Sequence, residues 1–326
     1  VQGSDVAAHS TGILDIKTTI LPNADALFLT AIDKYGHELW RWTFPVDKLN
    51  QTNEVFSPLS GKATYSETEN ELTVKAKNHT FIFSKRDGQL KGVSVNNHKI
   101  SFANGPRFIG ARRADRSLDQ FYNHDDEKAK EKDRTYSEFP DAAVFTKLEV
   151  KEDGGNLIVT ANYKLGNLDK AQWTINPNGE AALDYTYNFS GVVDLIGISF
   201  DYPEDQVISK RWLGAGPYRV WQNRIHGTQY DVWENDYNDP IPGETFTYPE
   251  FKGYFDSVSW MNIRTKEGTI SLTNETPDSY IGVYQPRDGR DRLLYTLPES
   301  GISVLDVIPP VRNKVNSTDL CGPSSQ

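Results

Sequence analysis

Apolar and polar residues alternate in short runs along most of this chain, the period that turns one side of a β-strand toward a core and the other toward water. The first runs are 12–20 (GILDIKTTI) and 26–33 (ALFLTAID), separated by the turn chemistry of Pro22-Asn23; a third, His37 to Phe44, sets Trp40 and Trp42 on one face. Beyond a polar, proline-bounded stretch at 45–58 come predicted strands at 62–67, 71–77, 79–84, 89–95 and 98–102, broken by Asp87-Gly88 and Asn96-Asn97. Further strands follow at 143–151, 156–164, 170–176 and 181–188, then Gly197 to Tyr202, and finally 257–264, 268–273 and 280–284. No helical period persists beyond two turns and no fixed repeat recurs, so the predicted fold is all-β, a large antiparallel two-sheet sandwich.

Three strands cannot close a sandwich. Residues 1–50 therefore read as the last strands of one domain, 51–60 as a linker and 61–326 as a second, larger domain. The opening Val1-Gln2-Gly3-Ser4-Asp5 has the texture of internal sequence, and truncation is expected. Dense charge of both signs at 112–138 predicts a solvated insertion.

The formal net charge of −10 argues against a phosphate-binding surface, so no nucleic-acid partner is expected. No apolar run reaches the ~18–20 residues that cross a bilayer as a helix, so no membrane partner is expected either. Cys321 is the sole cysteine, which excludes an intrachain disulfide framework and leaves the compartment open, with a bacterial periplasm or the exterior favoured over the cytoplasm. The histidines are scattered without ligand spacing, so neither metal nor cofactor is predicted.

Candidate chemistry concentrates in Arg211–Arg224, where Gly214, Gly216 and Pro217 stand among Trp212, Tyr218, Trp221 and Arg224. Glycine and proline predict a rigid turn between strands. Flat aromatic faces beside arginine forks suit the apolar faces and hydroxyl rims of sugars, although aromatics near a Gly-Pro corner also serve as core. Trp233, further along among acidic residues, joins this set of candidate carbohydrate contacts.

The ordered set Trp212-x-Gly214-x-Gly216-Pro217, Trp221, Asn223-Arg224, Tyr248-Pro249-Glu250 and Gly253 resembles the C-terminal domain of the β-galactosidases of glycoside hydrolase family 2. So do Phe81-x-Phe83-Ser84-Lys85-x-x-Gly88-x-Leu90, Trp173-x-Ile175-x-x-x-Gly179 and Gly197-Ile198 upstream. The opening, from Leu14-x-Ile16 through Leu21-Pro22-Asn23-Ala24 to Trp40, is similar to the end of that family's immunoglobulin-like domain.

The resemblance implies a galactose-mutarotase-type β-supersandwich over 61–326, like a β-galactosidase small chain, after the last strands of an immunoglobulin-like sandwich at 1–50. It also implies that the catalytic glutamates of this retaining exo-β-glycosidase lie on a barrel outside this chain, so that no catalytic residue is expected here. The expected partners are that barrel and a β-glycoside, with homo-oligomerisation of the parent left open. Two departures bear on specificity. The family's Arg and Asn-Asp segment is represented by Arg107 and an altered 110–115, and the tryptophan that reaches the sugar subsite is replaced by Cys321, which cannot stack on a pyranose. Two alternatives stand beside this reading. One is a free-standing carbohydrate-binding module; the other is an aldose-1-epimerase-like enzyme using His226 with Glu234 or Glu244 as acid and base.

Overall fold

The computed structural model describes residues 6–16, 24–46, 61–113, 136–139, 142–237, 253–276, 278–284 and 300–310. It divides into two compact units, Val1–Val55 and Phe56–Gln326.

The first unit carries an antiparallel hairpin of β1 (Ala26–Ile32) and β2 (Glu38–Pro45). Its register pairs Leu27 with Phe44, Leu29 with Trp42 and Ala31 with Trp40, so one face is wholly apolar. Asp33 closes the turn by accepting bonds from the backbone N–H groups of Tyr35 and His37, both at 2.8 Å. The His37 bond leads the effects that hold this carboxyl below its ordinary value. The strand expected at 12–20 is not formed over 12–16, where Ile13 is 92% exposed; 17–20 lie outside the described residues. Alternation without a neighbouring ladder leaves the backbone groups unpaired, and no strand results.

The second unit begins with β3 (Thr64–Glu67), β4 (Glu71–Ala76), β5 (His79–Ser84), β6 (Leu90–Val95), β7 (His98–Ile100) and β8 (Ala103–Arg113). There follow β9 (Tyr136–Glu138), β10 (Val144–Asp153), β11 (Asn156–Lys164), β12 (Leu168–Ile175), β13 (Ala181–Tyr187) and β14 (Leu195–Asp201). The remaining strands among the described residues are β15 (Val207–Gly216), β16 (Gln229–Asp236), β17 (Trp260–Thr265), β18 (Gly268–Thr273), β19 (Tyr280–Val283) and β20 (Ile302–Val307). One short 3-10 turn, Glu204–Gln206, is the sole helical element among the described residues.

All strand pairings among the described residues are antiparallel. A ten-stranded sheet runs β19-β20-β14-β8-β6-β5-β4-β3, with β7 on β6 and β9 on β8, and two four-stranded sheets run β10-β11-β12-β13 and β16-β15-β17-β18. Leu72, Val74, Phe83 and Ile198 of the large sheet share a core with Leu157, Val159, Trp173 and Ile175 of the β10–β13 sheet. Trp212, Met261 and Ile263 share another with Tyr202, Phe255, Ile281, Val283 and Ile302. On β14, Ile198 and Phe200 enter the first of these cores while Leu195 packs with Trp221 and Tyr254. Burial on both faces explains why β14 reads LIGISF with little polar alternation. The fold is thus all-β and sandwich-like.

The charge-dense stretch predicted at 112–138 is corrected at its ends. Arg112 and Arg113 continue β8, and they pair with Ser137 and Tyr136 of β9; residues 114–135 lie outside the described residues.

Candidate functional site

The segment expected to be a turn between strands is a strand for half its length. Arg211 to Gly216 complete β15, paired with β16 on one side and β17 on the other. The chain leaves the sheet only at the cis bond Gly216–Pro217. The glycines serve close approach rather than turning. A Cβ on Gly214 would lie 3.0 Å from Ser257 O and Val258 Cα, on Gly216 2.4 Å from the Trp233 ring, and on Gly253 1.7 Å from Val220 O. At Gly214 and Gly253 backbone segments thus cross where only a hydrogen fits beside the Cα, and at Gly216 the close neighbour is the Trp233 ring. The crossing is fastened by Val220 N–H to Tyr254 O and Tyr254 N–H to Val220 O, both 2.8 Å, and by Ala215 N–H to Asp256 O at 3.0 Å.

The aromatics close this crossing from within. Trp212 and Trp221 are both 0% exposed. Trp212 donates its indole N–H to Ala215 O at 3.0 Å and meets the Phe255 ring edge-on, with centroids 4.9 Å apart. Trp221 meets Tyr254 in the same way at 5.8 Å. Both rings are taken up by this packing, the core use that the sequence left open beside ligand contact. Burial of rings this large outweighs exposure by about 1.5–3 kcal/mol or more per side chain.

The remaining candidates lie nearer the surface. Tyr218 is half-buried and donates to His226 O at 3.3 Å, Arg224 is exposed, and Trp233 is half-buried, donating to Gln229 O at 3.1 Å while its ring covers Gly216. Cys321 and Pro249 lie outside the described residues, as does Glu244. His226 sits in the turn before β16, whereas Glu234 stands opposite Arg211. Five strand positions, about 17 Å, separate Glu234 from Gln229 at the start of that strand.

A second polar constellation is assembled from distant parts of the chain. Asn104 Nδ2 donates to Asp201 Oδ2 at 2.9 Å, Arg107 Nε donates to Asn104 O at 3.0 Å, and the Arg107 guanidinium pairs with the Asp201 carboxylate. With side chains 35% and 48% exposed, that pair contributes about 1 kcal/mol or less. In cross-strand register, Arg107 continues a row through Ser199 and Ser303 to Gly282. Ser303 Oγ donates to Ser199 Oγ at 2.9 Å in the buried part of the row.

Nearby, Glu267 in the β17–β18 turn accepts from Ser101 N–H at 2.9 Å, Ser101 Oγ at 2.7 Å and Tyr202 Oη at 2.9 Å. Burial works to raise this carboxyl, but those bonds prevail and hold it below its ordinary value. Tyr202 is pushed up to about 12, first by burial and then by Glu267. At the crossing itself, burial raises the Asp256 carboxyl. These groups recognise and fix neighbouring strands. The one sequence signal for the constellation was Arg107; Asn104 and Asp201 carried none, because the contact spans most of a hundred residues.

No group of three or more His, Cys, Asp or Glu suited to a metal occurs among the described residues. No helix among them is long and apolar enough to cross a membrane, which leaves β-barrels aside. The sequence profile of the family described as beta galactosidase small chain matches residues 75–295, more than half of the chain. No curated protein matches the chain significantly.

Proposed function

Since this chain belongs to the beta galactosidase small chain family, we propose that it is the non-catalytic C-terminal region of a retaining family 2 exo-β-glycosidase, contributing architecture and carbohydrate contacts to a barrel active site on another part of the parent. The observation that carries this reading is the use made of the family-like residues. Gly214 and Gly253 let backbones cross, Gly216 makes room for the Trp233 ring, and Trp212 and Trp221 are buried beside them. Residues so engaged support a scaffold rather than a reaction.

In this reading the Phe56–Gln326 unit is a supersandwich of the galactose-mutarotase type, and the β1–β2 hairpin is the end of an immunoglobulin-like sandwich. The hairpin's apolar face supports the latter. Trp40, Trp42 and Phe44 are 49%, 44% and 48% exposed, a two-stranded ribbon is at best marginal alone, and further strands would cover these rings.

The test is direct: the chain, assayed with aryl β-galactosides, gives no turnover. Robust hydrolysis would overturn the non-catalytic assignment.

A further inference from the structure

The sheet ordered β16-β15-β17-β18 has two unlike faces. Trp212, Met261 and Ile263 point into a core, so the strand period turns their neighbours to the other side. There Val232, Leu213, Trp260 and Thr273 form one cross-strand row, and Glu234, Arg211, Asn262 and Ser271 form the next. Leu213 is buried as a floor, Trp260 and Asn262 are half-buried, and Arg211, Glu234, Ser271 and Thr273 are exposed. The Arg211 guanidinium lies over the Trp260 ring, 5.8 Å from its centroid, so the indole is open only in part. On the same face Tyr230 Oη bonds Ser259 Oγ at 2.6 Å, and Arg264 Nε donates to Ser209 Oγ at 3.1 Å.

The chemistry of this face is selective. Arg211 lies opposite Glu234 in register, and Arg264 and Asp236 both lie opposite Ser209, so cations and carboxylates balance. A charged ligand of either sign would meet as much repulsion as attraction. A neutral polyhydroxylated ring fits better. Its apolar face packs on an indole, while its hydroxyls both donate and accept among guanidinium, carboxylate, amide and hydroxyl groups that lie across one sheet. Three inter-strand steps span about 14 Å, room for a short oligosaccharide. We propose that this face binds a neutral oligosaccharide, with a pyranose against Trp260 and hydroxyls held by Arg211, Glu234 and Asn262. The inference deepens the function proposed above and rests on it for the class of ligand.

The test is a calorimetric titration of the intact chain with β-1,4-galactotriose and, separately, cellotriose. At least one should bind saturably. Trp260→Ala should weaken that binding by about tenfold or more, as loss of a central aromatic anchor does, while Trp260→Phe should retain most of it. Thr273→Arg, at an exposed position beside Trp260 in register, should block the face without touching the core. It decides the matter if Trp260→Ala does not fold. Absence of binding by the wild-type chain, or binding indifferent to Thr273→Arg, overturns the proposal. So does binding lost instead in Tyr218→Ala or Arg224→Ala. Aryl β-galactoside hydrolysis, read on the same samples, reports separately on the non-catalytic assignment: turnover there sinks that reading, whereas failed titrations leave it standing.

Discussion

Gly253→Ala places a methyl group 1.7 Å from the Val220 carbonyl oxygen, against the 3.0 Å that real Cβ atoms essentially never breach. The obstacle is backbone, not a side chain that can swing away, so the two segments must part by more than 1 Å. That opens both 2.8 Å bonds between Val220 and Tyr254, each worth about 1 kcal/mol net. It also displaces Trp221 and Tyr254, both essentially buried, and strain of this kind in a packed interior costs about 1–3 kcal/mol. The expected loss is about 3–5 kcal/mol, a large part of the ~5–15 kcal/mol that holds a typical domain folded. Urea unfolding followed by tryptophan fluorescence should show a midpoint lower by about 1 M or more, for a denaturant slope near ~3 kcal/mol/M. Gly92→Ala is the control: nothing lies within 4 Å of the added methyl, and its stability should stay within about 1 kcal/mol of wild type. A Gly253→Ala chain as stable as that control would refute the account of the crossing.

Trp221→Ala should destabilise the chain by about 3–5 kcal/mol by the same assay, because it empties a site of zero exposure; a change under about 1 kcal/mol would mean that the ring is not core. Glu267 contributes to the acid dependence. A carboxyl held below its ordinary value contributes stability that is present above 4.5 and is lost as pH falls through the folded value. Comparing urea midpoints at neutral and acid pH, Glu267→Gln should shrink the acid-induced drop, and an unchanged drop would remove Glu267 as its source. Burial first of all raises the phenols of Tyr185, Tyr187, Tyr254 and Tyr284 far above their ordinary value. In ultraviolet difference titration these four should stay protonated at about pH 11 and ionise on unfolding. Their contribution to stability is complete below the ordinary value and is lost as pH rises through the folded ones, so ionisation of all tyrosines near pH 10 in the native chain would contradict their burial.

Strands whose faces differ in polarity were legible beforehand. β11 reads NLIVTANYK with Leu157, Val159 and Ala161 buried, and β18 keeps the bounds expected for it. β8 escaped because Gly105, Pro106 and Gly110 look like interruptions. In the sheet they are spacing: a Cβ on Gly105 would fall 2.3 Å from the Phe200 ring. β15 was read as a turn for the same reason. Glycine inside a strand announces that something passes close by, but not what passes, and the partners of Gly214 and Gly253 lie more than thirty positions away.

The sequence alone determined the strand period, the antiparallel connectivity of neighbouring hairpins, the exclusion of long helices and the family-like order of residues along the second unit. These depend on near neighbours, where alternation and turn residues act directly on the backbone. Tertiary structure decided which aromatics are core and which face outward, since Trp212 and Trp260 look alike in sequence and sit on opposite faces of one sheet. It also decided which polar residues meet, as Arg107 and Asp201 do from separate strands. The physical reason is that burial and pairing are properties of the far side of each residue, and that side is supplied by segments remote along the chain.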